Sequence, residues 1–251
     1  MESFKIVVNP RYEHLRPYII PIIKGQRPDG SKEFFRVRNS LYKTTVSGTD
    51  IVVKDFKKPN FINSYVYTNL RKSKACRSYE NALRLLEAGF NTPEPIAYGE
   101  HKVNGRLVNC YYISSELKNA TEIRNWTGLS CVDTLLPAFA EEIVRLHKSG
   151  IYNKDFTGGN VLFTGNAVSG YKFHYVDLNR IKFGEHRSRI LLRMLGSIAN
   201  PDYTETRRIA RLYAESAGMI PDKIESIAVK ELDKYLNTRK IRSYIKSLFK
   251  K

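Results

Sequence analysis

The stretch from residue 151 to residue 177 constrains this chain more than any other. Ile151-Tyr152-Asn153 leads into Asp155, and five residues later comes Asn160, followed at once by Val161-Leu162-Phe163. A second apolar run, Phe173-His174-Tyr175-Val176, ends at Asp177. Short β-rich runs bounded by polar, glycine-containing stretches read as strands. Asp155, Asn160 and Asp177 are thereby placed on loops at strand ends. One carboxylate so placed can orient a hydroxyl. A second carboxylate and an amide oxygen can hold a divalent metal beside nucleotide phosphates. The spacing D-x-x-x-x-N, followed by an aspartate closing a strand, is that of kinase catalytic and metal loops.

The first half of the chain reads as β-rich. Residues 4–8 form a short strand. Residues 11–24 carry apolar side chains at near-helical spacing, with Pro17 and Pro21 interrupting the pattern. Three strands are expected over 33–38, 41–46 and 51–56, joined by a turn near Arg38-Asn39-Ser40 and by Ser47-Gly48-Thr49-Asp50. Alternation places Lys54 on the face of Val52 and Phe56. It is either a lysine snorkelling from a strand end or a phosphate-binding lysine. A basic segment follows (Lys57, Lys58, Arg71, Lys72, Lys74 and Arg77, interleaved with Phe61, Tyr65 and Tyr67), either a solvated face or a dock for anionic groups. Residues 73–89 read as a helix with Ser73 as N-cap and Gly89 at the end. Within it Glu80 has two readings, an ion pair with Arg84 one turn on or a pair with Lys54. Strands over 96–102 and 106–115 are joined by Val103-Asn104-Gly105, a hairpin signal.

The β-rich half is expected to end at Glu116, giving an N-terminal lobe of residues 1–116 and a mainly helical lobe of residues 117–251. Helical patterns cover 131–148, where Pro137 marks a kink or the start of the regular part, and about 186–199, 203–217 and 221–236. The last segment, 239–251, carries Ile241, Tyr244, Ile245, Leu248 and Phe249 on one face among six basic residues. It is either a helix packed on its own domain or one lying on an anionic bilayer.

The formal charge of +17 implies a polyanionic partner: nucleic acid, an anionic membrane surface or a phosphorylated substrate. With 42% hydrophobic and 27% charged residues, the chain has enough apolar material for a core and is not a disordered composition. Cys76, Cys110 and Cys131 lack metal or disulfide spacing, which fits a reducing compartment. No run approaches the roughly 20 apolar residues of a membrane span, and residues 1–8 lack a secretory core. The expected location is cytoplasmic, with peripheral attachment to a membrane.

Four stretches together resemble the bacterial lipopolysaccharide kinase family, which includes Kdo kinases (Kdo being the octulosonic sugar attached to lipid A) and inner-core heptose kinases. They are the strand from Ile51 to Phe56, residues 77–97 around Glu80, Leu146 to Phe156, and Tyr175-Val176-Asp177-Leu178-Asn179-Arg180. In the last, Asp-Leu-x-Arg stands where protein kinases have Asp-Phe-Gly. The resemblance implies an α+β, protein-kinase-like fold with a β-rich N-lobe and a mainly helical C-lobe. It also implies an enzyme using ATP and Mg2+ to phosphorylate a sugar hydroxyl. By it, Lys54 contacts the α- and β-phosphates and is held by Glu80. The backbone at Glu116 and Leu117 binds adenine, Asp155 serves the acceptor hydroxyl, and Asn160 and Asp177 hold magnesium. The implied partner is a glycolipid acceptor, Kdo–lipid A or inner-core lipopolysaccharide, with no nucleic acid and no obligate protein partner.

The chain departs from protein kinases in several places. It has no G-x-G-x-x-G, Asn153 replaces the usual histidine, Thr157 stands where a lysine is common, and no Ala-Pro-Glu follows Asp177. The short gap after Asp177 argues against a peptide acceptor. The competing readings are another small-molecule kinase of this fold, a non-catalytic pseudokinase and a nucleic-acid-binding module. Cationic acceptors call for acidic sites, which a chain of +17 does not favour. The joint presence of Lys54, Glu80, Asp155, Asn160 and Asp177 argues against a pseudokinase, and no nucleic-acid motif is present.

Overall fold

The computed structural model describes residues 1–36, 39–56, 71–185, 192–198 and 202–248, with the side chains at 36, 125, 242–246 and 248 excepted. The chain forms two compact units, Met1–Lys118 and Asn119–Lys251.

The N-terminal unit is built on a six-stranded antiparallel sheet. Its strands are β1 (Glu2–Val8), β2 (Lys32–Arg36), β3 (Asn39–Val46), β4 (Thr49–Phe56), β5 (Pro95–Val103) and β6 (Arg106–Ser115), in the order β1-β5-β6-β4-β3-β2. Two tight turns set its register. Ser47 and Gly48 both have positive φ, as do Asn104 and Gly105, the geometry that matches strand twist. Of the turn expected at 38–40, Arg38 lies outside the described residues, while Asn39 and Ser40 already belong to β3.

After a 3-10 turn at Pro10–Leu15, α1 (Arg16–Ile23) forms despite its two prolines. Pro17 sits in the first turn, where no N–H is needed. Pro21 is tolerated because Ile19, Ile22 and Ile23 bury their side chains completely or nearly so against the sheet. A Cβ on Gly99 would lie 2.3 Å from Ile23, so α1 reaches β5 only because residue 99 has no side chain. The core continues through Leu15, Ile51, Val53, Ile96 and Ile113. On β5 and β6 packs α2 (Lys74–Glu87). Ser73 caps it, accepting from the Cys76 N–H at 3.0 Å, and Gly89 leaves it at φ 79°. Cys76 and Cys110 are buried, and burial pushes the Cys110 thiol up to about 11.

The C-terminal unit centres on α3 (Val132–Lys148), with Pro137 inside the helix rather than at its start. Phe139 on α3 meets Phe156 and Phe173 at ring separations of 6.2 and 5.0 Å, and Phe156 meets Tyr175 at 6.3 Å. Around this core run β7 (Thr121–Glu122), β8 (Ile151–Asn153), β9 (Val161–Asn166), β10 (Gly170–Tyr175) and β11 (Ile181–Phe183). They form a three-stranded sheet, β10-β9-β7, and a two-stranded one, β11-β8.

The helices α4 (Leu195–Ile198), α5 (Tyr203–Ala217) and α6 (Pro221–Leu248) complete the unit. Of the helix expected over 186–199, residues 186–191 and 199 lie outside the described residues. The two helices expected over 221–236 and 239–251 are one continuous helix in the structure. Neither glycine nor proline separates them, and Thr238 returns its hydroxyl to the Lys234 carbonyl at 2.8 Å, which keeps it compatible with the helix interior. The apolar face expected for the tail rests mostly on Tyr244, Ile245, Leu248 and Phe249, whose side chains lie outside the described residues, while Ile241 is exposed. Among the described residues no helix is long and apolar enough to cross a membrane.

Candidate active site

In the N-terminal unit, Lys54 sits on β4 between Leu41 of β3 and Tyr112 of β6. Its Nζ lies 5.2 Å from the centre of the Phe56 ring, and Lys74 approaches the same ring at 5.9 Å. Phe56 is buried, so the alternation expected for this strand face holds. Glu80 lies on α2 and accepts from Lys72 Nζ at 2.6 Å, a partner just outside the helix. Glu116 and Leu117 follow β6 directly. The segment is tied back to the β3–β4 hairpin three times: Glu116 N–H donates to the Asp50 carbonyl at 2.9 Å, Lys43 pairs with Glu116 at 2.8 Å, and Lys118 pairs with Asp50 at 2.6 Å. The Lys118 ammonium, then the Thr45 hydroxyl, hold the Asp50 carboxyl below the usual carboxylate range.

In the C-terminal unit, the loop between β8 and β9 carries Asp155 and Asn160. Gly150 has φ 67° and stops α3, and a Cβ there would lie 2.6 Å from the Gly184 carbonyl oxygen. Asn153 is buried and its Oδ1 accepts the Asp155 N–H at 2.9 Å. The residue that replaces histidine therefore shapes the loop from within, by a local turn that asparagine makes readily. Phe156, the residue after Asp155, is fully buried, and its carbonyl accepts from Ser197 Oγ at 2.7 Å. Gly158 has no room for a side chain, since its Cβ would lie 2.5 Å from Arg124 Cα. The loop is closed by Asn160, whose Nδ2 donates to the Asp155 carbonyl at 2.8 Å.

Val176 N–H donates to the Asn160 carbonyl at 3.0 Å, which brings the segment bearing Asp177 against the loop bearing Asp155. Asp177 stands in the left-handed region at φ 56°, a conformation aspartate tolerates better than most residues. Its Oδ1 accepts from Asn179 Nδ2 at 2.7 Å. Asp155 pairs with Arg180, whose Nη1 lies 2.8 and 3.1 Å from the two carboxylate oxygens. With Nδ2 committed to the Asp155 carbonyl, Asn160 offers Oδ1 to a metal. Asp177 offers a carboxylate. Two hard oxygen ligands of this kind could hold magnesium.

Asp155, Asn160 and Asp177 are thus gathered within the C-terminal unit, while Lys54, Glu80, Glu116 and Leu117 belong to the other unit. Arg180 and Asn153 enter the site through contacts that the sequence alone does not assign. The Asn-x-Asp spacing was the local signal for Asn153. The contact made by Arg180 depends on strand pairing that no local signal discloses.

The sequence matches the lipopolysaccharide kinase (Kdo/WaaP) family over residues 42–210, about two thirds of the chain and a span holding all seven candidate residues. Among solved structures, the chain is similar to WaaP in complex with acyl carrier protein. The TM-score is 0.61 at 15% identity, covering 93% of this chain and 97% of that one. It is also similar to the Rio2 kinase–ADP/Mg2+–phosphoaspartate complex from Chaetomium thermophilum. There the TM-score is 0.50 at 17% identity, covering 91% and 78%. At these identities the likeness establishes the fold, which is protein-kinase-like and α+β. No curated protein sequence matches the chain.

Proposed function

The chain belongs to the lipopolysaccharide kinase (Kdo/WaaP) family, and from that premise we propose that it transfers the γ-phosphate of ATP to a hydroxyl of a Kdo or heptose sugar in the lipopolysaccharide inner core. The observation that carries the reading is the hydrogen-bonded pairing of two segments that gathers Asp155, Asn160 and Asp177. In the proposed reaction the acceptor oxygen bonds to the γ-phosphorus, the bond from that phosphorus to the β–γ bridging oxygen breaks, and ADP leaves. Asp155 orients the hydroxyl and takes its proton. Such a reaction asks the protein mainly for positioning and charge neutralisation.

Asn160 Oδ1 and the Asp177 carboxylate would hold magnesium, which when bound neutralises phosphate charge and aligns the phosphates. Lys54 is assigned to the α- and β-phosphates. Glu80 is assigned to steady Lys54. Glu80 also pairs with Lys72, which is 63% exposed, a solvated pair worth about 1 kcal/mol or less. The Glu116 N–H is engaged by Asp50, so at that residue the carbonyl is the group assigned to the adenine amino group, with the Leu117 backbone beside it. A charge of +17 favours an acceptor bearing phosphates and carboxylates on an anionic membrane. The proposed place of action is accordingly the cytoplasmic face of the inner membrane.

The test is transfer of labelled γ-phosphate from Mg-ATP to purified Kdo–lipid A, with Asp177→Ala as control. Labelled glycolipid from wild type and none from the variant supports the reading. Magnesium-dependent ATP binding without transfer moves the search to heptosylated acceptors. Absence of ATP binding overturns the assignment.

A further inference from the structure

Among the described residues Arg180 bonds to the Asp155 carboxylate, and the reaction as proposed gives it no part. Its position is set by the fold. β11 pairs with β8 so that Ile181 lies opposite Asn153. Extending that pairing one residue past its end sets Arg180 level with Lys154, the neighbour of Asp155 in the chain, and the long arginine side chain spans the remaining distance to the carboxylate, with Nη1 at 2.8 and 3.1 Å from its oxygens. The turn that bears it is anchored on both sides of the arginine: Leu178 and Ile181 are 2% and 5% exposed. The same turn begins at Asp177, and Asn179 within it donates to Asp177. Four consecutive residues, Asp177 to Arg180, therefore contain the candidate metal ligand, the amide that orients it and the guanidinium that grips the candidate base.

The geometry leaves the base able to work. An ionised carboxylate has about four acceptor sites, and Arg180 Nη1 occupies one on each oxygen. An acceptor hydroxyl can still approach the remaining sites. The guanidinium restricts rotation of the carboxylate and offsets the charge that two neighbouring aspartates accumulate. Surface ion pairs of this exposure, 50% for Arg180 and 33% for Asp155, contribute little to folding. Its effect is therefore to be sought in turnover.

We propose that Arg180 is a positioning residue of the transfer reaction: it fixes the orientation of Asp155 and couples it to the segment bearing Asp177, so that base and metal ligand keep one relative placement. This rests on the reading of Asp155 as the base. It assigns a role to the arginine that closes the Asp-Leu-Asn-Arg run.

The experiment measures kcat and both KM values for wild type, Arg180→Ala, Arg180→Lys, Asp155→Asn and the double variant Asp155→Asn/Arg180→Ala, with melting midpoints alongside. Misplacing a reacting group costs on the order of 100-fold in rate. Arg180→Ala should therefore lose about 10- to 100-fold in kcat, with KM for ATP and acceptor little changed. Guanidinium ion added at millimolar concentration should restore part of that kcat, because the site is half exposed, and should leave Asp155→Asn unimproved. In the double variant the loss of Arg180 should add nothing to the loss of Asp155. Arg180→Lys keeps the test available if the alanine variant fails to fold, and should fall between wild type and Arg180→Ala, since lysine supplies charge without the planar fork. Undiminished kcat, a loss confined to KM, or additive losses in the double variant would each overturn the proposal. If wild type transfers nothing to a glycolipid, the acceptor assignment fails, and the same comparison is read from slow Mg-ATP hydrolysis, with water as acceptor.

Discussion

Asp155 and Phe156 are adjacent in sequence and should fail in opposite ways. The Asp155 side chain is one third exposed, and its ion pair is with a half-exposed arginine. Replacing it by alanine removes an interaction worth about 0–1 kcal/mol and opens no core cavity. For a chain of this size that is a shift of at most about 4 °C in melting midpoint. Removing a positioned acid or base costs about 10²- to 10⁴-fold in rate, which is about 2.7–5.4 kcal/mol of barrier at 1.36 kcal/mol per decade. Phe156 has no exposed surface and touches the rings of Phe139 and Tyr175. Phe156→Ala leaves a cavity between α3 and β10 and should cost about 3–5 kcal/mol, or about 6–20 °C. The assays are thermal melts followed by tryptophan fluorescence, and labelled phosphate transfer at a temperature where each variant is folded. Asp155→Ala should melt like wild type and lose about 10²- to 10⁴-fold in transfer, whereas Phe156→Ala should melt early and retain transfer wherever it is folded. The reasoning is refuted if Asp155→Ala melts more than about 10 °C early, or if its turnover matches wild type.

Gly158→Ala should lower both stability, by about 1–3 kcal/mol, and kcat, because the new Cβ would meet Arg124 Cα at 2.5 Å and push the Asp155–Asn160 loop outward. Denaturant midpoints and transfer rates check it, and unchanged values for both would show that the loop yields freely. Ser73→Ala should cost about 1 kcal/mol through loss of the α2 cap, read as a lower urea midpoint at constant m-value. Burial, then the Lys172 charge, hold His174 below its usual 6.5. The unfolded chain therefore takes up this proton first as pH falls. The contribution is fully present above pH 6.5 and is lost as pH drops toward the folded value. His174→Gln should flatten that part of the profile of melting midpoint against pH, and an unchanged slope would assign the acid sensitivity elsewhere. Lys54→Met should cost on the order of 100-fold in kcat/KM for ATP with the sheet intact, and a change below twofold would remove Lys54 from the nucleotide site.

What the sequence made legible was local. Ser73 as a cap, Gly89 as a stop and the paired positive-φ residues Ser47-Gly48 and Asn104-Gly105 act within a few positions of themselves. Their chemistry can be read before any folding is known. The spacing from Asp155 to Asn160 belongs to the same class, because the Asn160 side chain bonds to the Asp155 backbone inside one loop. What was not legible was non-local. That β1 joins the sheet through β5, at its far edge, follows from pairing residues about 95 positions apart. Glu80 pairs with Lys72, which lies just before the helix, outside the i+4 spacing of a helical ion pair. The continuity of α6 escaped because a change of composition near residue 237 resembles a boundary, although nothing there breaks a helix.

The three candidate oxygens share a construction that accounts for their placement. Each is followed by a buried apolar residue: Asp155 by Phe156, Asn160 by Val161 and Asp177 by Leu178, all 2% exposed or less. A polar side chain on a loop is ordinarily mobile, since few contacts hold the backbone around it. Here the next residue fixes the Cα in the core of the unit while the functional group stays near the surface. Hydrogen bonds among the loops then remove the remaining freedom, from the Asp155 N–H to Asn153 Oδ1, from Asn160 to the Asp155 carbonyl and from Asn179 to Asp177. The pattern also explains why a histidine is dispensable at residue 153: the loop needs an acceptor for the Asp155 N–H, and a buried asparagine oxygen at 2.9 Å provides it. A kinase built this way depends on apolar residues beside its polar ones. Substitutions at Phe156, Val161 and Leu178 should therefore act on the chemistry through folding: they lower the stability of the loops that carry the oxygens, and transfer persists wherever the unit stays folded.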